Sequence, residues 1–231
     1  MKKSIFLFAL ALFAATTFAQ EQEDFTAPNY KAIEKEVSNS ASNYYYPHLF
    51  ERYKMGDSTL TLDEKRHLYY GYVFQPEYAA TEISTSNQII SELLTKQVFT
   101  NDDYNSILQH ADTLLTEDPF NLRAINAKLF VHAQLNNVEA YKKNAFKRRV
   151  IQDAIISSGD GMSTKTPFYV IKVAHEYDIL SFLGYRFGGT HKIVKKCNYL
   201  TVDQNRYGVE KIYFEISPVL KYASKHGAVK L

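Results

Sequence analysis

The stretch that decides the fold is residues 168–192, which read FYVIKVAHEYDILSFLGYRFGGTHK. Apolar residues alternate on both sides of the polar tetrad HEYD at 175–178, and a period of two is typical of a half-buried strand. Gly188 and Gly189 follow, and a glycine pair favours a two-residue hairpin because a type I′ turn needs positive φ at both positions. The stretch therefore predicts two strands that meet at the tetrad, with a hairpin turn at the glycines.

Two further strands are predicted after the glycine pair. The first covers 191–202, where three lysines blur the alternation, and the second covers 209–216. The turn-forming cluster DQNRYG at 203–208 separates them. We therefore expect residues 167–217 to form a four-strand antiparallel meander, followed by a tail at 218–231.

The region before this stretch, residues 28–158, has the helical period instead. Its strongest signal lies at 102–158, where two turn-like breaks, DP at 118–119 and NN at 136–137, separate three apolar stripes. The sequence GDGMSTKT at 159–166 is predicted to be a linker loop. The chain is therefore predicted to be α+β, with helical hairpins first and the antiparallel sheet last, packed together as one unit.

One helical segment has a repeat-like pattern. Residues 107–143, ILQHADTLLTEDPFNLRAINAKLFVHAQLNNVEAYKK, resemble a degenerate tetratricopeptide-type hairpin, with small alanines at packing positions and Asp-Pro after the first helix. A true array needs about three repeats, and the sequence contains one. An ordinary pair of helices is an equally good interpretation.

The first residues have the pattern of an export signal. Lys2 and Lys3 precede an apolar run of eleven residues at 5–15, and Thr17-Phe18-Ala19 places small residues before a cleavage site. A membrane anchor is the alternative, but a helix needs about twenty apolar residues to cross the hydrocarbon core. We expect a signal peptide at 1–19 with cleavage after Ala19, a flexible leader at 20–27, and a periplasmic or secreted protein. Gln20 follows the cut where a lipoprotein would have Cys.

The composition of the mature chain excludes several classes of function. Removing 19 of the 231 residues takes away two lysines and leaves 25 basic and 25 acidic residues. Nucleic-acid binding needs clustered positive charge, so we expect no nucleic-acid partner. Cys197 is the single cysteine, which excludes an intrachain disulfide and a Cys-based metal site. After signal cleavage we expect no transmembrane segment, and the residues indicate no cofactor.

Three blocks of the sequence resemble a known family. They are YYYPHLFERYKMGDSTLTLDEKRHLYYGYVFQPEY at 44–78, PFYVIKVAHEYDILSFLGY at 167–185, and CNYLTVDQNRYGVEKIYFEIS at 197–217. In order and spacing they are similar to an exported Bacteroidota family catalogued as a domain of unknown function. The resemblance extends from about Tyr30 to Ser217 and implies secretion and a helix-then-sheet order. It implies no catalytic residues.

The tetrad at 175–178 is the first candidate site. His175, Glu176 and Asp178, with His191 across the sheet, could form a general acid/base cluster or bind a metal such as zinc. The zinc-protease pattern, however, needs a second His four residues after the first, and that position is Ile179. On a strand, adjacent residues also point to opposite faces. The interpretation that we favour is a solvated turn between two strands, with no metal and no catalytic residue.

The tyrosines are the second candidate. The chain has 18 tyrosines and no tryptophan, with dense runs around Tyr45, Tyr69 and Tyr72. Exposed tyrosines suit the recognition of a glycan or protein because they offer rigid area and a hydroxyl. The alternative, which is the commoner case, is that most are half-buried.

These observations favour a non-catalytic exported module that binds a protein or peptide in the bacterial envelope. A helical hairpin can offer its unburied face as a groove, and the sheet can offer an edge. The alternative is an envelope hydrolase of peptide or glycan that uses His175, Glu176 and Asp178. A structural adaptor of an outer-membrane complex cannot be separated from the first class by sequence.

Overall fold

The computed structural model describes residues 25–81 and 84–227. The predicted signal peptide at 1–19 lies outside these residues. Within the described ranges, no helix has both the length and the apolar character needed to cross a membrane.

The elements follow the predicted order of helices and then sheet, with one helix inserted in the sheet region. The helices are α1 (Tyr30–Ser38), α2 (Tyr46–Met55), α3 (Leu62–Gly71), a 3₁₀ helix (Tyr72–Phe74), α4 (Thr85–Leu93), α5 (Asn101–Glu117), α6 (Leu122–Gln134), α7 (Val138–Ile156), α8 (Ala174–Phe182) and α9 (Ser217–His226). The strands are β1 (Phe168–Tyr169), β2 (Phe187–Val194), β3 (Cys197–Val202) and β4 (Lys211–Glu215). The α+β class is confirmed.

Local sequence explains the ends of the first helices. Thr61 and Glu64 form the capping box at the start of α3, with side chain and backbone bonded reciprocally. Gly56 ends α2 in the left-handed conformation, at φ +80. Asn121 and Asn137 cap α6 and α7 through their side chains. The breaks predicted at 118–119 and 136–137 therefore separate α5, α6 and α7.

The helices enclose two apolar clusters. The larger includes residues of α1, α2, α3 and α7 together with the inner face of the sheet. The smaller lies between α4, α5 and α6, around Ile90, Ile107 and Val131. The packing of α5 on α6 and of α6 on α7 does not confirm the likeness to a tetratricopeptide repeat.

The sheet differs from the predicted antiparallel meander. Its strand order is β1-β4-β3-β2, and β1 pairs with β4 in parallel, whereas β2–β3 and β3–β4 are antiparallel. The prediction of a purely antiparallel sheet is therefore wrong. The reason is that α8 follows β1, so the chain leaves the sheet after Tyr169 and re-enters it at the opposite edge.

The tetrad at 175–178 lies on a helix, and the prediction of two strands that meet there is wrong. The buried residues of α8 are His175, Glu176, Ile179 and Leu180, which share one helical face. Two of the four are polar, so hydropathy does not show the helical stripe. The apparent alternation at 168–185 therefore comes from a two-residue strand followed by a helix whose buried face is half polar.

The hairpin turn is also displaced from its predicted place. Gly188 and Gly189 lie within β2, and the turn is formed by Lys195 and Lys196 between the paired residues Val194 and Cys197. Lys195 takes the left-handed conformation there, at φ +62. The pairing register shifts between 187 and 191, and a Cβ on Gly188 would lie 2.9 Å from the backbone of Val202. The absence of a side chain at Gly188 thus allows the close approach of the two strands where the pairing of β2 is irregular. The predicted strand 191–202 is divided between β2 and β3 by the turn at Lys195 and Lys196.

Candidate functional site

The four residues of the tetrad point in two directions. His175 and Glu176 are buried, at 1% and 0% exposure, whereas Tyr177 and Asp178 lie on the outer side of α8. The prediction that the polar groups of His175 and Glu176 are in water is wrong. The buried side chains of His175 and Glu176 therefore lie in two separate environments.

His175 is held between the helical part and α8. Its Nδ1 lies 2.7 Å from the hydroxyl of Tyr69, and its Nε2 lies 3.1 Å from the carbonyl oxygen of Phe120. Because a carbonyl only accepts, Nε2 carries the proton and Nδ1 accepts from Tyr69. The Tyr69 oxygen accepts in turn from the backbone N–H of Ile171. Both ring nitrogens are therefore engaged, which indicates a positioning role rather than proton transfer to a substrate.

A buried ion pair involves Lys172, three residues before His175. Lys172 Nζ lies 2.8 Å from Asp118 Oδ2, and both side chains are less than 5% exposed. Asp118 Oδ1 also accepts from the backbone N–H of Phe120. Lys172, just before α8, and His175, in its first turn, therefore both attach the start of this helix to the turn between α5 and α6.

Glu176 faces the sheet, where it meets a residue that sequence reasoning missed. The side-chain amide of Asn198 on β3 donates to Glu176 Oε2 at 2.5 Å and also to His191 Nε2 on β2. Asn198 is fully buried. The structure therefore does bring Glu176 and His191 together, through Asn198, in what we call the Glu176–Asn198–His191 cluster.

The electrostatics of this cluster are set by burial. Burial raises the pKa of Glu176 to about 8, although the hydrogen bond from Asn198 opposes the shift. Burial also lowers the pKa of His191. Among the described residues, neither Glu176 Oε1 nor Asn198 Oδ1 has a hydrogen-bond partner. Such unpaired buried groups are uncommon, and here they accompany a carboxyl group that favours its protonated form.

The cluster can store a proton but has little access to a substrate. His191 is half-buried and Glu176 is fully enclosed. Within residues 25–81 and 84–227, no group of three or more His, Cys, Asp or Glu side chains is arranged to hold a metal ion.

Asn198 could have been suspected from the sequence, because it occupies an inward position of the strand CNYLTV, on the same face as Leu200 and Val202.

The fourth tetrad residue, Asp178, borders two clefts. One, of about 310 Å³, is also lined by Lys172, His175 and Tyr177. The other, of about 600 Å³, runs between α6, α7 and α8. The smaller cleft therefore joins His175 and Asp178, but neither cleft includes Glu176 or His191 among its lining residues, so no one of these two clefts joins all four sequence candidates.

The groove between α6, α7 and α8 is built from one stripe of each helix. The residues of α6 are Asn126, Leu129, Phe130 and Ala133; those of α7 are Tyr141, Arg148 and Gln152; those of α8 are Asp178, Ser181 and Phe182. Spacings of three, four and seven place each set on one helical face. Phe182 and Tyr141 are 51% and 39% exposed, so the groove presents aromatic surface to solvent.

The tyrosine candidates are divided by the fold. Tyr69 and Tyr72 are buried in the main core, where they cannot form an exposed recognition surface. Tyr45 is half-buried and packs edge-to-face on His48 at 5.2 Å. Exposed aromatic residues occur elsewhere, and two of them, Tyr141 and Phe182, line the groove.

Comparison with known proteins identifies one family. The family described as Domain of unknown function (DUF4919) matches residues 31–225. No curated protein and no solved structure matches. Because the match covers the described helices and strands from α1 to α9 almost completely, the chain belongs to the family of the Domain of unknown function (DUF4919).

Proposed function

We propose that the protein is a non-catalytic module of the bacterial envelope that binds a peptide segment of a partner protein in the groove between α6, α7 and α8. The observation that carries this proposal is the groove itself, with its exposed Phe182 and Tyr141. Large apolar residues exposed at a concave surface are typical of interaction sites.

The lining suggests what the partner segment presents. Leu129 is buried and forms apolar floor, while Phe130 and Phe182 offer aromatic contacts. Arg148 donates to Asn126 Oδ1 at 3.3 Å, and no ion pair to a described carboxylate is present at Arg148. A partner with an apolar anchor and a nearby carboxylate therefore complements the groove, since arginine binds carboxylates through two parallel hydrogen bonds.

Two further features agree with this function. Leu135 and Val138, at the turn between α6 and α7, the two helices that supply Phe130 and Tyr141 to the groove, are 45% and 57% exposed apolar residues. The envelope location is supported by the signal-like residues 1–19. The alternative, an envelope hydrolase using His175, Glu176 and Asp178, has weaker support because His175 and Glu176 are engaged in separate buried contacts.

The proposal is tested with a random peptide library displayed on phage, with the mature protein as bait. Enriched peptides are synthesised with a fluorescent label, and their affinity is measured by fluorescence anisotropy. Ala133→Trp fills the groove from an exposed helical position and is expected to abolish binding. Met55→Trp, an equal change at an exposed position of α2, is the matched control and should leave binding unchanged.

The role of Arg148 is tested in the same assay. Arg148→Gln should weaken binding of acidic peptides, whereas Arg149→Gln, which alters a neighbouring cation paired with Asp153, should not. Peptides that bind the Ala133→Trp variant as tightly as the unmodified protein would rule out the groove as the binding site. Absence of any enriched peptide would count against the proposed function.

A further inference from the structure

A separate cleft lies on another part of the molecule, between α1, the 3₁₀ helix and α9. Its volume is about 590 Å³, within the range of roughly 300–1,000 Å³ that is usual for small-molecule sites. We call it the α1/α9 cleft. It shares no lining residue with the groove between α6, α7 and α8.

The wall of the α1/α9 cleft is aromatic and held in place by the core. Tyr30 packs on Phe74 with 6.4 Å between ring centroids, and Tyr78 packs edge-to-face on Tyr222 at 5.7 Å. The hydroxyl of Tyr78 donates to the carbonyl oxygen of Ile171 at 2.6 Å. The rings are therefore positioned before a ligand arrives, which lowers the entropic cost of binding.

The α9 side of the cleft is positively charged. Lys221 and Lys225 both line it and are four residues apart, so they lie on one face of the helix. Like charges at this spacing disfavour a helix slightly, and neither lysine forms an ion pair with a described residue. Glu34, across the cleft on α1, is the one carboxylate among the described lining residues.

A fixed aromatic wall beside two cations favours a particular class of ligand. The rings suit a flat apolar body through stacking and edge contacts, and the ammonium groups suit a carboxylate or sulfonate. We propose that the α1/α9 cleft binds a small organic anion with an aromatic or apolar body, with the anionic group at Lys221 and Lys225. This site is independent of the proposed peptide groove.

The test uses two fluorescent probes of similar shape and different charge. 1-Anilinonaphthalene-8-sulfonate carries a sulfonate, and N-phenyl-1-naphthylamine is its neutral counterpart. The protein has no tryptophan, so both probes can be followed with little protein background. We expect saturable binding of the sulfonate and weaker binding of the neutral amine.

Variants assign the binding to the cleft. The double variant Lys221→Gln/Lys225→Gln should weaken sulfonate binding about three- to tenfold, the size expected for two exposed charge contacts, and should leave the neutral probe unchanged. Glu34→Gln should tighten sulfonate binding. Tyr222→Leu should weaken both probes. Lys142→Gln/Lys143→Gln removes two charges from α7 and is the matched control.

The proposal is overturned if sulfonate binding responds equally to the α7 control pair and the α9 pair, or if it responds to neither. It is also overturned if the sulfonate does not bind saturably. Circular dichroism establishes that each variant is folded. Because Ala133→Trp blocks only the peptide groove, it should leave probe binding at the α1/α9 cleft unchanged, so the two proposals fail separately.

Discussion

The side-chain amide of Asn198 on β3 donates a hydrogen bond to Glu176 Oε2 on the buried face of α8, at 2.5 Å. The two residues are 22 positions apart in the sequence. This contact attaches the helix to the sheet through polar groups in a fully buried place. The carboxyl group of Glu176 is thus used inside the protein, where burial raises its pKa.

Glu176→Gln should change the pH dependence of stability. Burial raises the pKa of Glu176 from 4.5 to about 8, so the folded state binds this proton more tightly than the unfolded state. The free energy of unfolding therefore falls as the pH rises from 4.5 to 8, by up to about 1.4 kcal/mol per pH unit. Glutamine mimics the neutral acid, and the variant should lose this slope and be the more stable protein at pH 9.

This prediction is checked by urea unfolding at several pH values between 5 and 9. Glu51→Gln, at an exposed carboxylate on α2, is the control and should retain the slope of the unmodified protein. A Glu176→Gln variant with the same slope as the unmodified protein would show that Glu176 is charged in the folded state at neutral pH.

Tyr69→Phe should destabilise the protein by about 1–3 kcal/mol. The change removes a buried hydroxyl that donates to His175 Nδ1 and accepts from the N–H of Ile171, leaving both without that partner. Tyr30→Phe is the matched control, because the hydroxyl of Tyr30 is buried with no partner among the described residues. Its removal should be neutral or stabilising in the same chemical-denaturation experiment, and equal losses would contradict the hydrogen bonding described for Tyr69.

Gly161→Ala should be far more harmful than Gly184→Ala. Both glycines have positive φ, at +71 and +79, so each substitution carries a similar backbone strain of about 1 kcal/mol. A Cβ on Gly161 would lie 2.5 Å from the ring of Phe168, whereas a Cβ on Gly184 meets no atom within 4 Å. Thermal unfolding measures the loss of stability in both variants. We expect Gly161→Ala to lose about 1–3 kcal/mol more than Gly184→Ala because of the crowding at Phe168. A similar loss of stability in the two variants would refute this crowding.

Lys172→Met should cost about 3–5 kcal/mol, because it leaves the carboxylate of Asp118 buried without its cation. The double variant Lys172→Met/Asp118→Asn should be more stable than Lys172→Met, since the uncompensated charge is then removed as well. Lys65→Met breaks the more exposed pair with Asp153 and should cost less. Urea midpoints test this order, and a double variant less stable than Lys172→Met would contradict it.

Export should be visible at the N-terminus of the mature protein. If residues 1–19 are a cleaved signal peptide, mass spectrometry of the protein recovered from envelope fractions should find Gln20 as the first residue. Replacing Leu10 and Leu12, in the middle of the apolar run, with lysines should retain the full-length chain in the cytoplasm. A mature protein that begins at Met1 would disprove cleavage.

Sequence reasoning was accurate where structure depends on neighbouring residues. The breaks predicted at 118–119 and 136–137 do separate α5, α6 and α7, because Asn121 and Asn137 cap the next helix through local side-chain hydrogen bonds. It failed at α8 because the helical stripe there contains His175 and Glu176, whose burial is compensated by distant partners. It also misplaced the hairpin turn, because Lys195 adopts a left-handed conformation that glycine was expected to supply.

The sequence by itself determined the α+β class, the breaks between α5, α6 and α7, and the family to which the chain belongs. Only the tertiary structure decided that the tetrad is helical, that β1 pairs in parallel with β4, and that Glu176 and His191 meet through Asn198. The physical reason is the distance along the sequence over which the stabilising interactions act. Caps and turns are stabilised within a few residues, whereas a buried polar side chain is stable only beside partners such as Tyr69, Phe120 and Asn198, which the fold brings to it.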